Sequence, residues 1–181
     1  MRTVFVAGVP ESGKRDMLGL VLRNERKRLP VFSVLDFNEI AAKALDLKKP
    51  GDIDLSSLLG NPRSVREFQK RFGRELEAVM KRKVRSGKNL VIDGSFTIET
   101  AEGEVPLVSE DFFREFRISM IINMELSRGD RDLMVSQDIN RNHAANFSSV
   151  SGAELRTILI EAGNYRKAIN ELTDSLEFVF G

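Results

Sequence analysis

The 181-residue chain has no cysteine, no tryptophan and one histidine, His143. Without cysteine there can be no disulfide framework, zinc finger or thiol nucleophile, and a single histidine argues against a His-rich metal site or a Ser-His-Asp triad. A dominant charge is missing as well. The 28 Lys+Arg face 27 Asp+Glu, so no net field draws the chain to nucleic acid or a membrane. No apolar run approaches the ~18 residues that would span a bilayer, and the one after Met1-Arg2 stops at Gly8, too short for a secretory core. These absences predict a soluble, cytoplasmic protein folded as one domain over residues 1–181. Oligomeric state, including a homo-oligomer, is left open.

What is present is an alternation of patterns. Thr3-Val4-Phe5-Val6-Ala7 is apolar without helical period, and residues 31–35, 90–92, 118–124 and 176–180 share that character, giving five candidate strands. Near-continuous apolar strands imply burial on both faces. From Pro62, the apolar positions Val65, Phe68, Phe72, Leu76 and Val79 step by three or four up to Ser86-Gly87, predicting one long helix. Ser151 with Glu154 reads as a capping box opening a second long helix through Leu155, Ile158, Leu159, Ala162, Ile169 and Leu172. Phe112, Phe113 and Phe116 are spaced as a buried helix face, and Asp36 reads as an N-cap. Residues 47–61 and 138–150 fit neither period and are expected to be irregular binding flaps. Such an alternation predicts an α/β fold in three layers, a mainly parallel sheet covered by helices on both sides.

The motif with the clearest chemistry follows the first strand. Gly8-Val9-Pro10-Glu11-Ser12-Gly13-Lys14 satisfies G-x-x-x-x-G-K, where successive backbone N–H groups and a helix N-terminus face phosphate oxygens and Lys14 reaches the terminal phosphates. With Arg15 and Asp16, this stretch is the expected ATP-binding element. Arg15 stands where a Ser or Thr hydroxyl ordinarily ligates Mg²⁺, and a guanidinium cannot replace it. Water and other oxygens hold the metal, or Asp16, Ser12 or Asp93 substitutes, or the metal binds weakly. Leu90-Val91-Ile92-Asp93 has the apolar-run-plus-acid form of a strand that places a carboxylate for Mg²⁺ beside such a loop. Between Arg63 and Arg85 nine Lys/Arg face three Glu. This basic helix is a solvated face, a contact to nucleotide phosphate or, third, an RNA-facing surface.

Several of these features occur in one order: Gly8-Val9-Pro10 with Gly13-Lys14, then Gln69-Lys70 and Gly73-Arg74, then Asp93 followed by Thr97-Ile98-Glu99-Thr100-Ala101-Glu102-Gly103-Glu104-Val105-Pro106-Leu107. Together with Asp138, Arg141 and Asn142, this order resembles the archaeal type of adenylate kinase, over nearly the whole chain. The resemblance implies a phosphate-loop nucleoside monophosphate kinase, its five-stranded parallel sheet flanked by helices, that moves the terminal phosphoryl of ATP to AMP or a related nucleoside monophosphate. It implies an acceptor-binding flap over about residues 36–86 and a lid over about 128–150. It assigns Lys14 and Arg141 to phosphoryl transfer, with Arg131 or Arg128 as substitutes for missing lid arginines. Asp36, Arg74 and Thr97 would meet the acceptor, and Asp93 the metal. The chain departs from the pattern at Met134 and Val135, where a lid arginine pair is usual, and at His143, Gly60 and Arg15. An arginine at the transferring phosphate is worth about 10³ to 10⁵ in rate, so these departures favour a rival: a nucleotide-binding sensor or scaffold with weak or no kinase activity.

Overall fold

The apolar runs at 3–7, 90–92 and 118–124 become the three central strands of one sheet. The computed structural model describes residues 1–9, 12–24, 29, 32–47, 61–100 and 103–181. The strands of the main sheet are β1 (Thr3–Gly8), β2 (Phe32–Asp36), β3 (Asn89–Asp93), β6 (Met120–Leu126) and β7 (Glu154–Ile160), ordered β2-β3-β1-β6-β7 with all pairs parallel. A separate antiparallel hairpin joins β4 (Thr97–Thr100) to β5 (Gly103–Pro106). The helices are α1 (Lys14–Asn24), α2 (Phe37–Ala44), α3 (Pro62–Arg85), α4 (Glu110–Glu115), α5 (Arg131–Ser151) and α6 (Tyr165–Phe180).

Alternation along β1 and β6 divides the core into two layers. Phe5, Ala7 and Ile121 face α2, α3, α4 and α5 in a layer dominated by phenylalanine, where Phe5 stacks on Phe96 at 5.3 Å between centroids and Phe113 on Phe147 at 4.4 Å. Val4, Val6, Ile122 and Met124 face α1 and α6. The expected roles of the Pro62 helix and of Phe112, Phe113 and Phe116 hold in this packing: Asn61 caps α3 through Ser64 N, Pro62 sits in its first turn, and the three phenylalanines are buried.

The C-terminal third differs from the expectation. Residues 154–160 form a strand instead of opening a helix, and residues 176–180 end a helix instead of forming the fifth strand. The two patterns run together in the sequence because β7 is an edge strand. Leu159, which mimicked a helical step beside Leu155 and Ile158, is half exposed, while Ile158 and Ile160 are buried. Ala168, Leu172, Leu176, Val179 and Phe180 form the true helical stripe, separated from β7 by Gly163 at φ +81°. Ser151 is not an N-cap: it ends α5, with its hydroxyl donating to Phe147 O. Residues 138–150, expected to be irregular, are helical within α5. The composition misled because only Gln137, Asn140, Ala144 and Phe147 of that helix are fully buried. The proposed lid region is therefore largely one continuous helix, while most of the 47–61 flap lies outside the described residues. No helix among the described residues is long and apolar enough to cross a membrane.

Candidate active site

The carboxyl ends of β1 and β3 meet where the chain leaves β1 toward β2 on one side and later returns to build β6 on the other, the position where open parallel sheets bind ligands. Gly8 ends β1 there, and no larger residue fits: a Cβ would stand 2.8 Å from Met124 O and 3.0 Å from Ser12 Oγ. The loop then curls, with Ser12 N donating to Val9 O at 3.0 Å and Gly13 at φ +69°, a backbone region that favours glycine. Ser12 Oγ accepts from Lys14 N at 3.3 Å, so this hydroxyl supports the first turn of α1. Pro10 and Glu11, expected in the same loop, lie outside the described residues.

The Lys14 ammonium pairs with the Asp93 carboxylate and donates to Gly94 O at 2.8 Å; the two side chains are only 12% and 10% exposed. Arg15 reaches Asp36 Oδ2 at 2.8 Å. Asp36 Oδ1 meanwhile accepts from Asn38 N at 2.8 Å, which makes Asp36 the α2 N-cap that the sequence predicts. Burial raises the Asp36 pKa above its ordinary 3.8, opposed by the Asn38 N–H and Arg15 and reinforced by the Asp93 and Glu39 charges. The sign follows from linkage. A carboxyl with a raised folded pKa binds its proton more tightly when folded, so its contribution is fully present below the unfolded pKa and is lost as pH rises through the folded value. Thermal melts of wild type and Asp36→Asn should show the wild type losing stability relative to the variant as pH rises from 3.8, the ordinary value, through the raised one. A constant difference across that window contradicts the assignment.

These residues border a cavity of about 800 Å³. Of the residues expected from the sequence, Gly8, Val9, Lys14, Arg15, Asp36, Asp93 and Thr97 line it. Ser12 and Gly13 shape the loop without lining the cavity, and Asp16 is exposed on α1. Arg74 is exposed on α3 and Arg131 at the start of α5, neither on the cavity wall; Arg128 is likewise exposed. Arg63 and Arg66 border a separate groove of about 540 Å³. Arg141 turns instead to the buried Glu125, with Nε 3.1 Å and Nη2 2.6 Å from its two carboxylate oxygens, and to Asp138 at 2.7 Å. That fork raises the Arg141 pKa, chiefly through the hydrogen bonds to Glu125. His143 packs against Phe96 and Phe147, so it is no free lid residue.

Sequence reasoning missed part of the wall. Asp130, Asp132, Ser136 and Asn140 from α5 and its N-cap line the cavity, together with Glu99 and Glu104 from the hairpin. Glu99 and Glu104 lie inside the quoted Thr97–Leu107 motif, but nothing in a one-dimensional pattern shows that they stand opposite each other. The spacing of Gln137, Asn140, Ala144 and Phe147 did carry a signal for α5.

No protein-family model matches the chain, and no curated protein matches it in sequence. Among solved structures, a Chloroflexus aurantiacus protein provisionally named a kinase is similar at a TM-score of 0.52 and 14% identity, covering 98% of this chain and 94% of that one. Shikimate kinase from Bacteroides thetaiotaomicron is similar at a TM-score of 0.54 and 13% identity, covering 97% and 98%. At such identities the likeness is one of fold: α/β, with a five-stranded parallel sheet flanked by helices.

Proposed function

We propose that the chain is a phosphotransferase moving the terminal phosphoryl group of ATP to a small acceptor held in the cavity. One observation carries this reading: Lys14 and Asp93 converge beside the Gly8 turn on the floor of a cavity of about 800 Å³. Transfer between oxygens asks little covalent work of the protein, so rate comes from positioning and from cations at the transferring group. The loop N–H groups would hold the donor phosphates, and Lys14 would exchange Asp93 for phosphate oxygens. The donor set fits Mg²⁺, which keeps several waters and needs only one or two carboxylates beside substrate phosphates; Asp93 supplies one. Bound there, Mg²⁺ would neutralise charge on the phosphates being separated.

AMP or a related nucleoside monophosphate is the acceptor that the sequence resemblance implies, and Asp36 and Thr97 are its candidate contacts. The engagement of Arg141 by Glu125 favours a second reading, a nucleotide-binding sensor without fast transfer. Calorimetry with ATP and a coupled assay for ADP separate the two. The phosphotransferase reading expects saturable ATP binding and acceptor-dependent ADP formation. ATP binding without acceptor-dependent turnover supports the sensor, and absence of ATP binding overturns both.

A further inference from the structure

We propose that the edge of the main sheet opposite the cavity docks single-stranded nucleic acid, held chiefly by its phosphates. The balanced total of 28 cations and 27 acids hides an uneven placement. All pairs of the main sheet are parallel, so the amino ends of its strands lie together, away from the carboxyl ends that carry the site. Lys88 directly precedes β3 and Arg2 directly precedes β1, while Arg117 stands three residues before β6. Because β3, β1 and β6 are neighbours, one cation leads into each of three consecutive strands, about 4.8 Å apart. Backbone bonds fix the alignment, Leu90 N donating to Arg2 O at 3.0 Å and Ser119 N to Thr3 O at 2.8 Å. The helix α3 runs into β3 through Ser86 and Gly87, so Arg82 and Arg85 of its last turn continue the row.

All five residues are exposed, and none is in an ion pair among the described residues. Glu77 and Glu115 are engaged by Lys81, and Glu154, at the start of β7, by Arg156. The chain from Asn24 to Phe32, which enters β2 at this edge, contains Arg26, Lys27 and Arg28 against Glu25, so by sequence it adds cations as well. The dipole of α3 favours cations in its last turn but accounts for neither Lys88 nor Arg2. Arg117 is held at φ +46°, a backbone region that favours glycine.

Four of the five are arginines, whose planar forks match phosphate oxygens. A membrane contact asks for an apolar face beside the charge, and the apolar stripe of α3 is buried in the core, leaving Val84 as its one exposed large apolar residue. Phe178 favours a single strand over a duplex. It is 62% exposed near the end of α6, with the Arg156 guanidinium 4.5 Å from its ring centroid, and the carbonyl of its neighbour Val179 accepts from the Arg2 guanidinium. An exposed ring among cations offers an unpaired base a surface to stack on.

The test is fluorescence anisotropy of a labelled single-stranded oligonucleotide titrated with the full chain at several salt concentrations. Five phosphate contacts at about −0.7 each predict a slope of log K against log[salt] of about −3.5. R82Q/R85Q/K88Q removes three cations that no carboxylate engages; it should melt like wild type, bind at least about tenfold more weakly and have a slope shallower by about 2. Phe178→Ala should weaken binding with the slope unchanged, and the duplex of the same sequence should bind less tightly than the strand. Mg·ATP should not displace the oligonucleotide, because the phosphate loop lies at the other edge. A slope no steeper than about −1, unchanged binding by either folded variant, a duplex bound as tightly as the strand, or displacement by Mg·ATP overturns the inference. So does binding to phosphatidylserine vesicles without binding to the oligonucleotide, which would make this edge a membrane contact.

Discussion

Lys14→Met is expected to lower phosphoryl transfer by about 10² to 10³ or more, the usual consequence of deleting one preorganised charge from the group that reacts. Among the described residues, Lys14 is the cation that the structure brings to both the loop and the β3 carboxylate, being bonded to Asp93 and to Gly94 O. The substitution has a structural effect too, because Asp93 is 8% exposed and would lose its counter-charge. Removing one member of a buried pair commonly costs about 3–5 kcal/mol, so a bare loss of activity could reflect unfolding. Lys14→Met/Asp93→Asn separates the effects: the double variant should melt near wild type, since no uncompensated charge remains, while transfer stays lost. ATP affinity measured on that folded variant should fall as well. Unchanged turnover in a folded Lys14→Met protein would mean that the phosphate site lies elsewhere.

How far the site could be read from the chain depends on the kind of feature. The Gly8 to Lys14 loop was legible because its chemistry is local: a glycine with no room for a Cβ, a glycine at positive φ and a lysine one residue into a helix. Asp36 was legible as a cap for the same reason, through its bond to Asn38 N. Its pairing with Arg15 was not, because the partners are 21 residues apart and belong to different elements. The sheet was recovered in class and strand number while one strand was misassigned, since an edge strand such as β7 need not hide every apolar residue. Arginines were the least legible. A guanidinium on a long stem can serve any anion within reach, and spacing does not say whether that anion is a ligand phosphate or a protein carboxylate.

Arg141 makes that ambiguity measurable. Glu125 lies on β6 with its side chain 4% exposed, and its other hydrogen bond comes from Asn123 Nδ2 at 2.7 Å. Arg141→Met would leave this carboxylate buried with a single amide donor. The reference cost of breaking a buried pair is about 3–5 kcal/mol; because Arg141 is 49% exposed, water can reach part of the gap, and about 2–3 kcal/mol is the better expectation. In a chain of this length that lowers the melting temperature by roughly 4–12 °C. Arg141→Met/Glu125→Gln should recover most of the loss, since the glutamine oxygen still accepts from Asn123 and no charge is stranded. Arg141→Lys should recover only part, an ammonium being unable to span both carboxylate oxygens as the guanidinium does. The role implied by the family resemblance leads to the opposite pattern: a lid arginine working on phosphate would give a variant that melts like wild type and transfers slowly. Melting temperature and kcat measured on the same three variants therefore decide whether Arg141 serves the fold or the reaction, and the bidentate contact to Glu125 places the larger effect on melting.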